Sequence, residues 1–71
     1  MKFECQFGNA AGERRSIAVE ITPDESAAAA RHAYPDVAAQ AFALKRAYGV
    51  VGADAIAAGM RHIAGGVRPL Q

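Results

Sequence analysis

A chain of 71 residues has room for one domain, and at that size folding hides only about 60% of the surface that the unfolded chain exposes, so the core must be small. Hydrophobic residues make up 52%, charged residues 21%, and the formal net charge is +1, which excludes a disordered tail and a strongly basic nucleic-acid arm. No apolar run approaches the roughly 18 residues of a membrane span, and Lys2, Glu4 and Gln6 interrupt any signal-peptide core at the start. A soluble, cytoplasmic protein is therefore expected, with no membrane partner; the single cysteine, Cys5, suits a reducing compartment.

Charge is unevenly placed. Residues 1–25 carry Lys2, Arg14 and Arg15 against five carboxylates, a net of −2, whereas residues 26–71 carry Arg31, Lys45, Arg46, Arg61 and Arg68 against Asp36 and Asp54, a net of +3.

Two segments alternate with period two: Phe3, Cys5 and Phe7 against Lys2, Glu4 and Gln6, then Ile17, Val19 and Ile21 against Ser16, Ala18 and Glu20. Each predicts a strand with one buried face. If Ala10-Ala11-Gly12 forms a three-residue turn with its glycine left-handed, Cys5 pairs with Ile17 and Phe3 with Val19, and every apolar residue falls on one side. A lone hairpin is marginal in water, so helices must cover that side.

Thr22-Pro23-Asp24-Glu25 predicts a helix start: Thr22 as N-cap, Pro23 at the first position, and Glu25 completing a capping box. This first helix should run to about Ala33, where Pro35 stops it, and Pro35-Asp36 restarts a second over residues 36–48. On the second helix Val37, Ala41, Leu44 and Tyr48 form an apolar stripe, and Gly49 is the expected C-terminal cap. A third helix is predicted over residues 53–64, with Ala53, Ile56, Ala57, Met60, Ile63 and Ala64 on one side, followed by Gly65-Gly66. Residues 1–66 would then form a single α+β domain, a two-stranded antiparallel β-hairpin followed by three short α-helices (ββααα), and residues 67–71 a flexible C-terminal tail. The expected core is Phe3, Cys5, Phe7, Ile17, Val19, Ile21, Val37, Leu44, Ile56, Met60 and Ile63. A second fold consistent with the pattern is the same elements exchanged in a homodimer, the edge strand pairing with its symmetry mate to make a four-stranded sheet.

The stretch Leu44–Met60 has the outline of a helix-turn-helix, with Tyr48-Gly49-Val50 at the turn. Two positions oppose that reading. Lys45 stands four before the turn glycine, where a small residue must tuck between helices, and the second helix begins with Asp54, Ala55 and Ala58, which offer little to base edges.

Phe42 lies about 140° from the Val37 stripe on a helical wheel, flanked by Lys45 and Arg46. If exposed it is an aromatic anchor with a basic rim, suited to an acidic protein partner; if buried it packs against a neighbouring helix. No catalytic constellation is expected. Cys5 falls on the buried strand face, His32 and His62 have no ligand-spaced companion, and no glycine pattern suits a phosphate loop. The residues thus predict a small non-catalytic protein-interaction module contacting its partner through Phe42, Lys45 and Arg46, without metal or cofactor. The alternative is a nucleic-acid-binding protein that meets phosphates through Arg31, Lys45, Arg46, Arg61, His62 and Arg68.

Overall fold

The computed structural model describes residues 1–70, in which the elements follow the order β1 (Lys2–Gly8), β2 (Arg14–Glu20), α1 (Pro23–Ala30), α2 (Pro35–Val51), α3 (Ala53–Ala57) and β3 (Arg61–Leu70). The class is α+β as expected, but the sheet has three strands, in the order β2-β1-β3. β1 is central and antiparallel to both neighbours. β2 and β3 therefore run parallel to each other, joined by the helical crossover.

The hairpin forms in the predicted register, with Phe3 opposite Val19 and Cys5 opposite Ile17. Gly12 closes the loop at φ +86°, a conformation that costs glycine nothing. Asn9 organises the rest of it: its Oδ1 accepts from the N–H groups of Ala11 (3.0 Å) and Glu13 (3.1 Å), the local bonding that makes asparagine a turn residue.

The capping box is also present. Thr22 Oγ1 accepts from the Glu25 N–H at 3.1 Å, and Glu25 Oε1 accepts from the Thr22 N–H at 2.8 Å. α1 ends at Ala30, with Arg31 as its cap, rather than at Ala33, and Pro35 opens α2 as its first residue.

α2 departs from expectation in length and in the face it buries. It runs through Gly49 to Val51, and the left-handed glycine that ends it is Gly52, at φ +92°. The expected turn at Tyr48-Gly49-Val50 is thus helix interior, and the helix-turn-helix outline disappears, since α3 is only 5 residues long. Val51 explains the extension: it is buried, and the apolar area it removes from water offsets the roughly 0.5–1 kcal/mol that a mid-helix glycine costs. The buried seam is Ala39, Ala43, Ala47 and Val51, spaced by four. Val37, expected in the core, is 63% exposed; Ala41 is exposed too, while Leu44 and Tyr48 are half-buried at the flanks. The reason is steric. The sheet supplies the bulk, Phe3, Cys5 and Phe7 on β1 with Val19 and Ile21 beside them, and a stripe of alanines lets the helix axis approach these side chains closely. Full burial of Phe3, Phe7 and Ile21 stabilises the fold by about 1.5–3 kcal/mol each relative to exposure.

The predicted third helix, residues 53–64, stops at Ala57. Gly59 at φ +103° turns the chain, Met60 enters the core, and residues from Arg61 onward extend along β1. Residues 67–70, expected in a loose tail, lie in this strand: Val67 pairs with Cys5, Arg68 with Glu4 and Leu70 with Lys2; Gln71 lies outside the described residues. Ile56 and Ile63, expected in the core, are half-buried. The β1–β3 register shifts between Cys5 and Phe7, because Cys5 faces Val67 whereas Phe7 faces His62. The intervening Ile63-Ala64-Gly65-Gly66 forms a bulge, the kind of insertion that bends an edge strand. Gly65 takes φ +75° there, and a Cβ on Gly66 would come within 2.8 Å of Gln6 Cβ and 2.9 Å of the Ile63 carbonyl.

Helices cover one face of the sheet and leave the other polar, as antiparallel sheets commonly do. On the open face Arg68 donates to Glu4 Oε1 from Nε (3.0 Å) and Nη2 (2.8 Å), and Gln6 bridges Glu4 (3.0 Å) to Ser16 (3.2 Å). No helix among the described residues is long and apolar enough to cross a membrane.

Candidate functional site

Phe42, Lys45 and Arg46 stand three and four residues apart on α2, so one helical face carries all three. The structure gathers them, with Glu25 of α1, around one concavity of about 350 Å³. Phe42 is neither the fully exposed anchor nor a buried core residue: it is half-buried, packed against the edge of the core. Lys45 is exposed. Arg46 keeps 42% of its side chain accessible while its Nη2 binds Glu25 Oε1.

Glu25 ties the site to the start of α1. Its carboxyl is held below the ordinary glutamate range, chiefly by the hydrogen bond from the Thr22 backbone N–H and further by the Arg46 guanidinium, against partial desolvation. A carboxylate already rests on the basic rim. The arrangement combines an apolar floor, an exposed ammonium and a guanidinium that is paired with the Glu25 carboxylate.

The residues proposed to meet phosphates do not converge. Arg31 caps α1. Arg61 spends Nη1 on the carbonyl oxygens of Ile56 (2.8 Å) and Met60 (2.7 Å). Arg68 is paired with Glu4 on the open sheet face, opposite the face that α2 covers. His62 belongs to a small cluster with Tyr48: its backbone N–H donates to Tyr48 Oη at 3.2 Å, its ring Nδ1 lies 2.9 Å from the same hydroxyl, and Phe7 meets the Tyr48 ring edge-on at 5.0 Å between centroids. Sequence reasoning missed this cluster, because Tyr48 and His62 meet only through the β1–β3 pairing.

It also missed the end of the molecule where α1 gives way to α2. Tyr34, 70% exposed, and Val37 stand there with Met1, beside a notch of about 190 Å³ lined by Met1, Phe3, Asp36, Ala39, Gln40 and Pro69. Its lining holds one carboxylate, that of Asp36, and no Lys, Arg or His side chain. Cys5 is fully buried, and burial pushes its thiol pKa up, with the neighbouring Glu4 charge adding to the effect; a buried protonated thiol is unreactive. Among the described residues no three His, Cys, Asp or Glu side chains form a cluster able to hold a metal ion.

Comparison of the chain with protein-family models, with curated proteins and with solved structures finds no match.

Proposed function

We propose that this chain is a small non-catalytic protein-interaction module that receives an acidic segment of a partner protein in the concavity formed by Phe42, Lys45, Arg46 and Glu25. The observation that carries the reading is the Arg46–Glu25 pair at the rim of that concavity: the site already holds one carboxylate, beside an exposed lysine and an aromatic floor. A partner carboxylate displacing Glu25 exchanges one exposed ion pair for another. Such pairs contribute little by themselves, so affinity rests on an apolar partner side chain covering Phe42, while Lys45 and Arg46 set orientation and association rate. A cytoplasmic location is part of the same proposal, and a single buried thiol suits it.

The test is a titration of ¹⁵N-labelled protein with a short peptide carrying two aspartates beside a leucine. Shifts are expected at Glu25, Phe42, Lys45 and Arg46, weakening with added salt and abolished by Lys45→Glu, which alters only an exposed side chain. Absence of shifts at millimolar peptide, or shifts that survive Lys45→Glu, would overturn the proposal. Nucleic-acid binding through Arg31, Lys45, Arg46, Arg61, His62 and Arg68 has less support: two of the five Lys/Arg cations are paired with carboxylates, a third caps carbonyl groups, and Arg68 occupies the opposite face.

A further inference from the structure

The two edges of the sheet differ. β3 carries Pro69, which lacks an N–H, and the Ile63–Gly66 bulge, two devices that protect an edge from further pairing. β2 has neither proline nor bulge, and α1, which follows it, packs against α2. Backbone bonds from the Ile21 N–H to the Met1 carbonyl (3.0 Å) and from the Asn9 N–H to the Glu13 carbonyl (3.3 Å) bracket the β1–β2 ladder. Both join odd-numbered residues, and bonded pairs recur every second residue along an antiparallel ladder. The odd residues of β2 therefore turn their backbone groups toward β1, and Arg14, Ser16, Ala18 and Glu20 turn theirs outward.

We propose that this edge binds a second copy of the chain, β2 against β2 and antiparallel about a twofold axis at Ile17, giving a continuous six-stranded sheet. In that register Arg14 of one copy faces Glu20 of the other, Ser16 faces Ala18, and Ile17 faces Ile17. The outward backbone groups of all four even residues are then paired. Charge complementarity selects the register. Arg14 and Glu20 lie on the open face, neither takes part in an ion pair among the described residues, and the twofold brings them together twice. Sliding by two residues in either direction separates them. On the helical face Ile17, half-buried in a single copy, meets its symmetry mate in a non-bonded pair, where side chains approach most closely.

Sedimentation velocity from micromolar to millimolar concentration tests this. The wild-type chain should pass from monomer to dimer mass. Arg14→Glu and Glu20→Arg should each raise the dissociation constant by about tenfold or more, since each puts like charges opposite one another at two places, while circular dichroism stays unchanged. An equimolar mixture of the R14E and E20R chains should dimerise again, because both facing pairs regain opposite signs. A wild-type chain monomeric throughout, single variants that associate as tightly as wild type, or a mixture that stays monomeric would overturn the proposal.

Discussion

Gly49 and Gly52 stand three residues apart and play opposite parts. Gly49 has helical geometry, and nothing lies within 4 Å of the Cβ it lacks. Gly52 holds φ +92°, where a side chain meets its own backbone. Gly49→Ala should therefore stabilise the protein by about 0.5–1 kcal/mol, and Gly52→Ala should destabilise it by about 1–3 kcal/mol, both measured by urea unfolding. The pair locates the end of α2 unambiguously: if the helix stopped at Tyr48 with Gly49 left-handed, the first substitution would be the costly one. Nothing in the tripeptide Tyr48-Gly49-Val50 distinguishes these cases, because the decision is made by the burial of Val51 against the sheet.

At the scale of elements, two ion pairs tie one element to another: Glu25 joins α1 to α2, which follows it, and Glu4 joins β1 to β3 at the far end of the chain. Both carboxyls are held below their ordinary range, Glu25 chiefly by the Thr22 backbone N–H and Glu4 chiefly by Arg68. A lowered folded-state pKa means that the unfolded chain binds more protons, so each carboxylate with its hydrogen bonds contributes stability above the ordinary glutamate value of about 4.3 and loses it as pH falls through the lowered one. The urea midpoint should accordingly fall as pH drops below that value, and E4Q and E25Q should each flatten the profile; profiles unchanged by both substitutions would contradict this assignment. The hairpin and the start of α1 were legible in the sequence because their determinants are local: a period-two pattern, a turn glycine, a capping box. The α2 seam was not, since a reading by hydrophobic size follows Val37 and Leu44 and passes over alanines whose value lies in being small. β3 was not either. Its Ile56-Met60-Ile63 spacing fits a helix locally, and only the bare second edge of β1, some 60 residues away (Glu4 to Arg68 spans 64), turns the segment into a strand. The candidate site divides in the same way: Phe42, Lys45 and Arg46 share a face by helical spacing, whereas Glu25, 21 residues distant, enters only through packing of α1 on α2.

For the molecule as a whole, the central position of β1 has a kinetic consequence. The β1–β2 hairpin is closed by a short loop and forms on the order of microseconds, but β1–β3 pairing must first overcome the entropy of closing a loop that spans most of the chain. The hairpin and helices are expected in the folding nucleus, with β3 docking after the barrier. In stopped-flow experiments Gly12→Ala, at φ +86°, should slow folding, whereas Val67→Ala on β3 should mainly accelerate unfolding; a Val67→Ala variant that slowed folding to the full extent of its destabilisation would put β3 in the nucleus instead. Until β3 docks, one side of β1 has no strand partner, and the partly folded chain exposes the unpaired backbone groups of Lys2, Glu4 and Gln6. Refolding at high protein concentration should therefore lose material to aggregation during that interval, and a substitution that slows the docking of β3 should increase the loss even where the final stability of the sheet is restored by a compensating change elsewhere.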